Sequence, residues 1–246
     1  MNTFFWILCS TVLVGLLGLI GIVSIFFRKK SLNKLLFVLI AFSAGALLAG
    51  AFFHLLSESL VKLSSTTTFL FLMVGFVMFF VLERFLHWHH CHDGNCEVHP
   101  VSYLILIGDG IHNAIDGLVI AASFLVSNPL GLVTTLLIIG HEIPQELGNF
   151  GILVYGGFSR AKAIIYSFIA QLTCVIGGIL GYFFLNHANW SIYLLPFTAG
   201  GFIYISCSDL IPELHKEPDL RKTVLSFMFF IIGLAFIIGL KFAFGE

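Results

Sequence analysis

The chain has 246 residues, of which 59% are hydrophobic and 10% charged, with a formal net charge of −1. That near-neutral balance offers nothing to nucleic acid, and a soluble domain of this size has no means of burying so much apolar surface. Apolar runs of about 20 residues between short polar breaks describe a polytopic membrane protein, and backbone groups in hydrocarbon must pair within each segment, so helices are expected.

Eight spans are expected, near 4–27, 35–60, 67–86, 101–126, 130–157, 162–185, 191–214 and 223–244. The first, third, fifth and seventh connections hold 10 of the 12 Lys and Arg, among them Arg28, Lys29, Lys30, Lys34, Arg160 and Lys162. The positive-inside rule places that side in the cytoplasm and both termini outside. No basic residue precedes the first apolar run, which argues against a cleaved signal peptide. The whole chain is expected to form a single transmembrane domain. Of the five Cys, Cys9, Cys174 and Cys207 lie in apolar spans and suit packing.

The first helix has no polar constellation. The second ends in HLLSES, which puts His54 and Glu58 one turn apart near the outer surface, as a candidate metal entry or a wet helix end. The third runs into HWHHCHDGNCEVH at 87–99, where His87, His89, His90, Cys91, His92, Cys96 and His99 make a metal-prone cytoplasmic loop. Its cysteine spacing is not that of a zinc finger.

Helices 4 and 5 carry the chemistry. They read GDGIHNAIDGLVIAASF and TTLLIIGHEIPQELGNF, separated by SNPLG. His112 and His141 each lie about eleven residues into their helix, or ~16 Å at helical rise, so they converge near mid-membrane from opposite sides. At about 100° per residue, Asp116 lies within about 40° of His112 and 60° of Asn113, and Gln145 stands likewise to His141 and Glu142. The two helices are therefore expected to form one site from His112, Asp116, His141 and Gln145, and a neighbour from Asn113, Asp116, Glu142 and Gln145. Asp109, Glu146 and Asn149 continue these rows toward the cytoplasm as pathway candidates. Pro144 breaks the ladder to the Gly140 carbonyl, which must find another donor. Ionisable groups at this depth are functional candidates by default, and no Lys or Arg shares it. Imidazole with carboxylate suits zinc, iron, manganese or cadmium, whereas calcium and magnesium prefer oxygen alone. Helix 6 carries Gln171, and helix 7 ends in SDLIPELH, where Asp209 is a further pathway candidate and His215 fits a polar helix end.

HNAIDG at 112–117 with HEIPQELGNF at 141–150 resembles the signature pair of the ZIP (Zrt/Irt-like) metal transporters, and HLLSES, the His-rich loop and DLIPEL extend the likeness over nearly the whole chain. The resemblance implies helices 1–3 and 6–8 as inverted repeats around helices 4 and 5. It also implies a metal centre, often binuclear, carrying divalent metal into the cytoplasm. His112, Asn113, Asp116, His141, Glu142 and Gln145 occupy its ligand places. Gln145 stands where many relatives have His, Asn149 where they have Asp, Ser57 where they have Pro, and Gly50 where some have Asp. The compact loops suit a bacterial protein in the plasma (inner) membrane. Divalent metal ions and membrane lipid are the expected partners, and the chain is compatible with a homodimer. Two other readings stand beside transport. One is a metal sensor or storage protein, suggested by the His/Cys loop. The other is an intramembrane metalloprotease, because HEIPQ begins like HExxH, although its second His is Gln145.

Overall fold

The computed structural model describes residues 2–22, 29–87, 98–155, 157–186 and 190–244, and among these there is no strand. The chain is an all-α membrane protein with eight helical passes. α1 is Thr3–Gly15, tightening into a 3-10 stretch at Leu16–Ile22. α2 runs Lys29–Ala49, passes through a π-turn at Gly50–Leu56 and ends as Ser57–Lys62. α3 is Ser65–His87, α4 is Val98–Val126 and α5 is Asn128–Tyr155. α6 is broken at Leu172 into Arg160–Gln171 and Thr173–Asn186. α7 is Ser191–Ile205, a second π-turn at Ser206–Leu210 and a last turn at Ile211–His215. α8 is Leu220–Phe244.

Seven of these passes are long and apolar enough to cross a membrane. α5 is not among them, because His141, Glu142, Gln145, Glu146 and Asn149 occupy positions where the other helices carry aliphatic side chains. The break expected at SNPLG narrows to Ser127, whose Oγ caps α5 by accepting from the Leu130 N–H at 3.2 Å. Pro129 then falls in the first helical turn, where its missing N–H costs nothing. α4 and α5 are thus antiparallel neighbours along their full length.

The helices pack as two groups. α1, α4, α5 and α6 lean on one another, as do α2, α3, α7 and α8; α2 and α7 carry the contact between the groups by packing on α5 and α4. Lipid offers no hydrophobic drive to bring helices together, so close backbone approach through small residues has to do so. Three reciprocal glycine pairs supply it. A Cβ on Gly45 of α2 would strike the Phe230 carbonyl of α8, and one on Gly233 would strike the Phe42 carbonyl of α2. Gly75 and Gly200 stand in the same relation between α3 and α7, and Gly117 and Gly177 between α4 and α6. Exchanging helices 1–3 for 6–8 in order turns the α2/α8 pair into the α7/α3 pair, and one π-turn into the other. The same contacts thus recur between α2 with α8 and α7 with α3. Phe69, Leu70, Met73, Val77 and Phe80 of α3 and Phe227, Met228, Ile231 and Phe236 of α8 face outward, where lipid would cover them.

Overpacking a close helix contact costs about 1–3 kcal/mol or more, and each kcal/mol moves the midpoint of a chain this size by about 2–4 °C. Gly117→Val and Gly200→Val should therefore each lower the thermal midpoint in detergent by about 5 °C or more. Gly151, which has open space around it, is the control, and Gly151→Ala should leave the midpoint in place.

Candidate metal centre

Four side chains from α4 and α5 converge. His112 and Asp116 lie one turn apart on α4, and His141 and Glu142 are consecutive on α5. Their ligand atoms all lie within 4.8 Å of one another. His112 Nε2 is 3.4 Å from His141 Nε2, 3.4 Å from Glu142 Oε1 and 3.9 Å from Asp116 Oδ2. His141 Nε2 is 3.5 Å from both Asp116 Oδ2 and Glu142 Oε1. A tetrahedral ion with bonds of about 2.0–2.1 Å separates its ligand atoms by about 3.4 Å. Five of the six edges are thus close to those of a tetrahedral cage around one ion.

The surroundings hold these atoms in a ligand-ready state. His141 Nδ1 donates to the Leu137 carbonyl at 3.1 Å. Since a carbonyl only accepts, the proton sits on Nδ1 and the Nε2 lone pair faces the cage. Glu142 Oε2 accepts from Gln171 Nε2 of α6 at 2.9 Å, which turns Oε1 inward. Asp116 Oδ2 and Glu142 Oε1 are buried without a hydrogen bond, the condition of acceptors waiting for a cation. Phe79 of α3 and Phe202 of α7 set their rings edge-on to His112 and His141, each with centroids 5.9 Å apart. The helix group that supplies no ligand therefore supplies the apolar wall. Pro144 leaves the Gly140 carbonyl unpaired within α5, and Ser43 Oγ of α2 donates to it at 2.5 Å. On α4, the Gly110 carbonyl accepts from Thr173 Oγ1 beside the break in α6, also at 2.5 Å.

The expected pairing of rows is rearranged. Glu142 joins the two histidines, its Oε1 lying 3.4 Å from His112 Nε2 and 3.5 Å from His141 Nε2. Gln145 instead turns its amide toward Asp109 Oδ1 at 3.5 Å. Asn113 is fully buried and donates to the carbonyl of Asp109 at 3.0 Å. Asn149 donates to Asp109 Oδ1 at 2.9 Å, and Glu146 is buried beside them. At the other end, His54 sits in the π-turn of α2 with Nε2 3.0 Å from the Ile237 carbonyl of α8, while Glu58 pairs with Lys62 at 2.7 Å. His54 is buried, and Glu58 is half-buried in the α-helical turn that follows. Asp209 lies in the second π-turn and is exposed. His89, His90, Cys91, His92 and Cys96 lie outside the described residues, as do the side chains of His87 and His99.

Sequence spacing left Gln171 without a role. Its signal was its depth, a lone amide in an otherwise apolar pass, which marks a partner inside the bundle. Ser43 and Thr173 gave no such signal, since hydroxyls bond freely to their own helix.

Fold and centre define a polytopic helical membrane protein with a buried cluster of two imidazoles and two carboxylates suited to a divalent transition metal. The family model described as ZIP Zinc transporter matches residues 89–241. Zinc transporter ZIP13 of Pongo abelii is 31% identical over 260 aligned residues, covering 95% of this chain and 77% of that protein. Zinc transporter YKE4 of Saccharomyces cerevisiae is 32% identical over 250 residues, covering 85% of this chain and 72% of that protein. Zinc transporter zipt-7.2 of Caenorhabditis elegans is 36% identical over 143 residues, covering 56% of this chain and 31% of that protein. The chain belongs to the ZIP zinc transporter family.

An ion bound only by the folded protein stabilises it by about 2.7 kcal/mol at a hundred times its dissociation constant. Zn2+ should accordingly raise the thermal midpoint of the wild type and not that of Asp116→Ala. Loss of a partner that orients a ligand typically costs about 10–100-fold in metal affinity. Gln171→Leu should thus weaken Zn2+ binding by at least about tenfold in a competition titration, and unchanged affinity would remove Gln171 from the centre.

Proposed function

We propose that this protein carries divalent transition-metal ions, zinc foremost with cadmium, iron and manganese as alternatives, into the cytoplasm as a single transport domain. The ion would be held within the membrane by His112, Asp116, His141 and Glu142. The observation that carries this reading is the set of distances near 3.4 Å among two imidazole nitrogens and two carboxylate oxygens, with both of those oxygens buried and unsatisfied. Family membership supports metal transport, and the names of the relatives support zinc. Asn113 and Gln145 stand next to the cage as amide ligands for an ion in passage. Weak ligands suit a site that must release what it binds.

The charge asymmetry of the connections supports an orientation with both termini outside, and the compact loops support a bacterial plasma membrane. Entry would then come from the side of Glu58 and Lys62, and release toward Asp109 and Asn149. A protease reading needs a metal with an open position and a base placed to activate water. Here Glu142, the HExxH-like base, is itself drawn into the cage, and Gln145 stands where that motif has its second His. A sensor would keep binding metal without moving it.

Uptake of Zn2+ into proteoliposomes separates these readings. Wild type should accumulate zinc, and both Asp116→Ala and His141→Ala should reduce the rate to that of empty vesicles. Deleting 88–97 should leave most of the flux. Metal binding without uptake by the wild type would refute transport.

A further inference from the structure

Asp109 and Glu146 take no part in the four-donor cage, yet their situation is the more costly one. Glu146 is 1% exposed, and neither of its carboxylate oxygens has a hydrogen bond. Asp109 is 6% exposed; its Oδ2 is likewise unsatisfied, while its Oδ1 accepts from Asn149 and Gln145. Asn149, which donates to Asp109 Oδ1 at 2.9 Å, lies one turn after Glu146 on α5, so Asp109 meets the face of α5 that carries both. Two carboxylates side by side in a low-dielectric interior repel and demand positive charge. No Lys or Arg among the described residues pairs with either.

Position separates this cluster from the cage. Asp109 precedes His112 by three residues on α4 and Glu146 follows His141 by five on α5, offsets of about 4.5 Å and 7.5 Å along the axes. Because the helices are antiparallel, both offsets run toward the same side. Chemistry separates them too. The cage offers two nitrogens and two oxygens, whereas the cluster offers oxygen alone: two carboxylates, and the amide oxygens of Asn149 and Gln145 once a cation replaces the carboxylate as their partner.

We propose that Asp109, Glu146 and Asn149 form a second divalent-cation site, one to two turns from the four-donor cage toward the release side, with oxygen ligands only. The unpartnered, fully buried Glu146 carboxylate on the face of α5 that meets Asp109 is the observation that marks it. Oxygen donors shift preference from zinc toward harder ions such as manganese, so the two sites differ in what they hold. Gln145, between them, touches the second site and borders the first. The proposal rests on the placement of α4 and α5 and does not require the protein to transport.

The test uses the full chain in detergent, loaded with one equivalent of Zn2+ and titrated with Mn2+, with free manganese followed by its EPR signal. Wild type should bind one further Mn2+. Glu146→Gln and Asp109→Asn should each weaken that binding by at least about tenfold while zinc stays bound. Asn149→Asp adds a charged oxygen and should tighten it, a gain that misfolding does not produce. His141→Ala should lose zinc and keep manganese. Absence of manganese binding to zinc-loaded wild type, or unchanged affinity in Glu146→Gln and Asn149→Asp, would overturn the second site without touching the first. Failure of zinc to bind wild type would instead count against the cage.

Discussion

The structure depends on two carboxylates, Asp116 and Glu142, buried inside a membrane with no Lys or Arg among the described residues paired to them. Burying one uncompensated charge costs several kcal/mol even after relaxation. The chain does not avoid that cost by pairing them with Lys or Arg. It sets two imidazoles beside them and leaves one oxygen of each unsatisfied. A divalent cation supplies the missing charge and the missing bonds together. An apolar residue at either position would make a more stable helix pair, so the carboxylates are explained by what they bind.

The rest of the fold reads as support for that arrangement. Pro144 bends the helix at the centre, and Ser43 takes up the carbonyl it releases. Leu137 fixes a tautomer, Gln171 turns a carboxylate, and Phe79 and Phe202 close the apolar side. These contacts come from both helix groups. The ligands and Gln171 belong to the group of α1, α4, α5 and α6, while Ser43, Phe79 and Phe202 belong to the other. Any relative movement of the groups would therefore alter the wall and the carbonyl bond while leaving the ligand set whole. The glycine pairs lie within the groups, and none of the three pairs bridges them. The ligands thus belong to one group, and part of their enclosure to the other.

Much of this was legible in the sequence because depth and helical angle are counting operations. Eleven residues from each helix start place His112 and His141 at one level, and helical rotation puts Asp116 beside one of them. Counting does not reach the choice between Glu142 and Gln145 as the fourth ligand. That choice depends on how each helix is rotated about its own axis toward the other, which the spacing does not resolve. The π-turns at Gly50–Leu56 and Ser206–Leu210 were also invisible, since an inserted residue leaves no compositional trace. The glycine contacts were present as letters but not as pairs, because a reciprocal contact appears only when two helices are laid side by side. Gln171 shows the opposite case: its depth was plain, and only its partner was missing.

X-ray absorption at the zinc edge, on wild-type protein carrying one equivalent of Zn2+, addresses the four-donor cage most directly. A first shell of about four nitrogen and oxygen atoms near 2.0–2.1 Å, with the multiple scattering of two imidazoles and none from sulfur, is the result this account predicts. The imidazole scattering should fall by about half in His112→Ala. A sulfur shell near 2.3 Å would place the zinc on cysteine instead and contradict the cage.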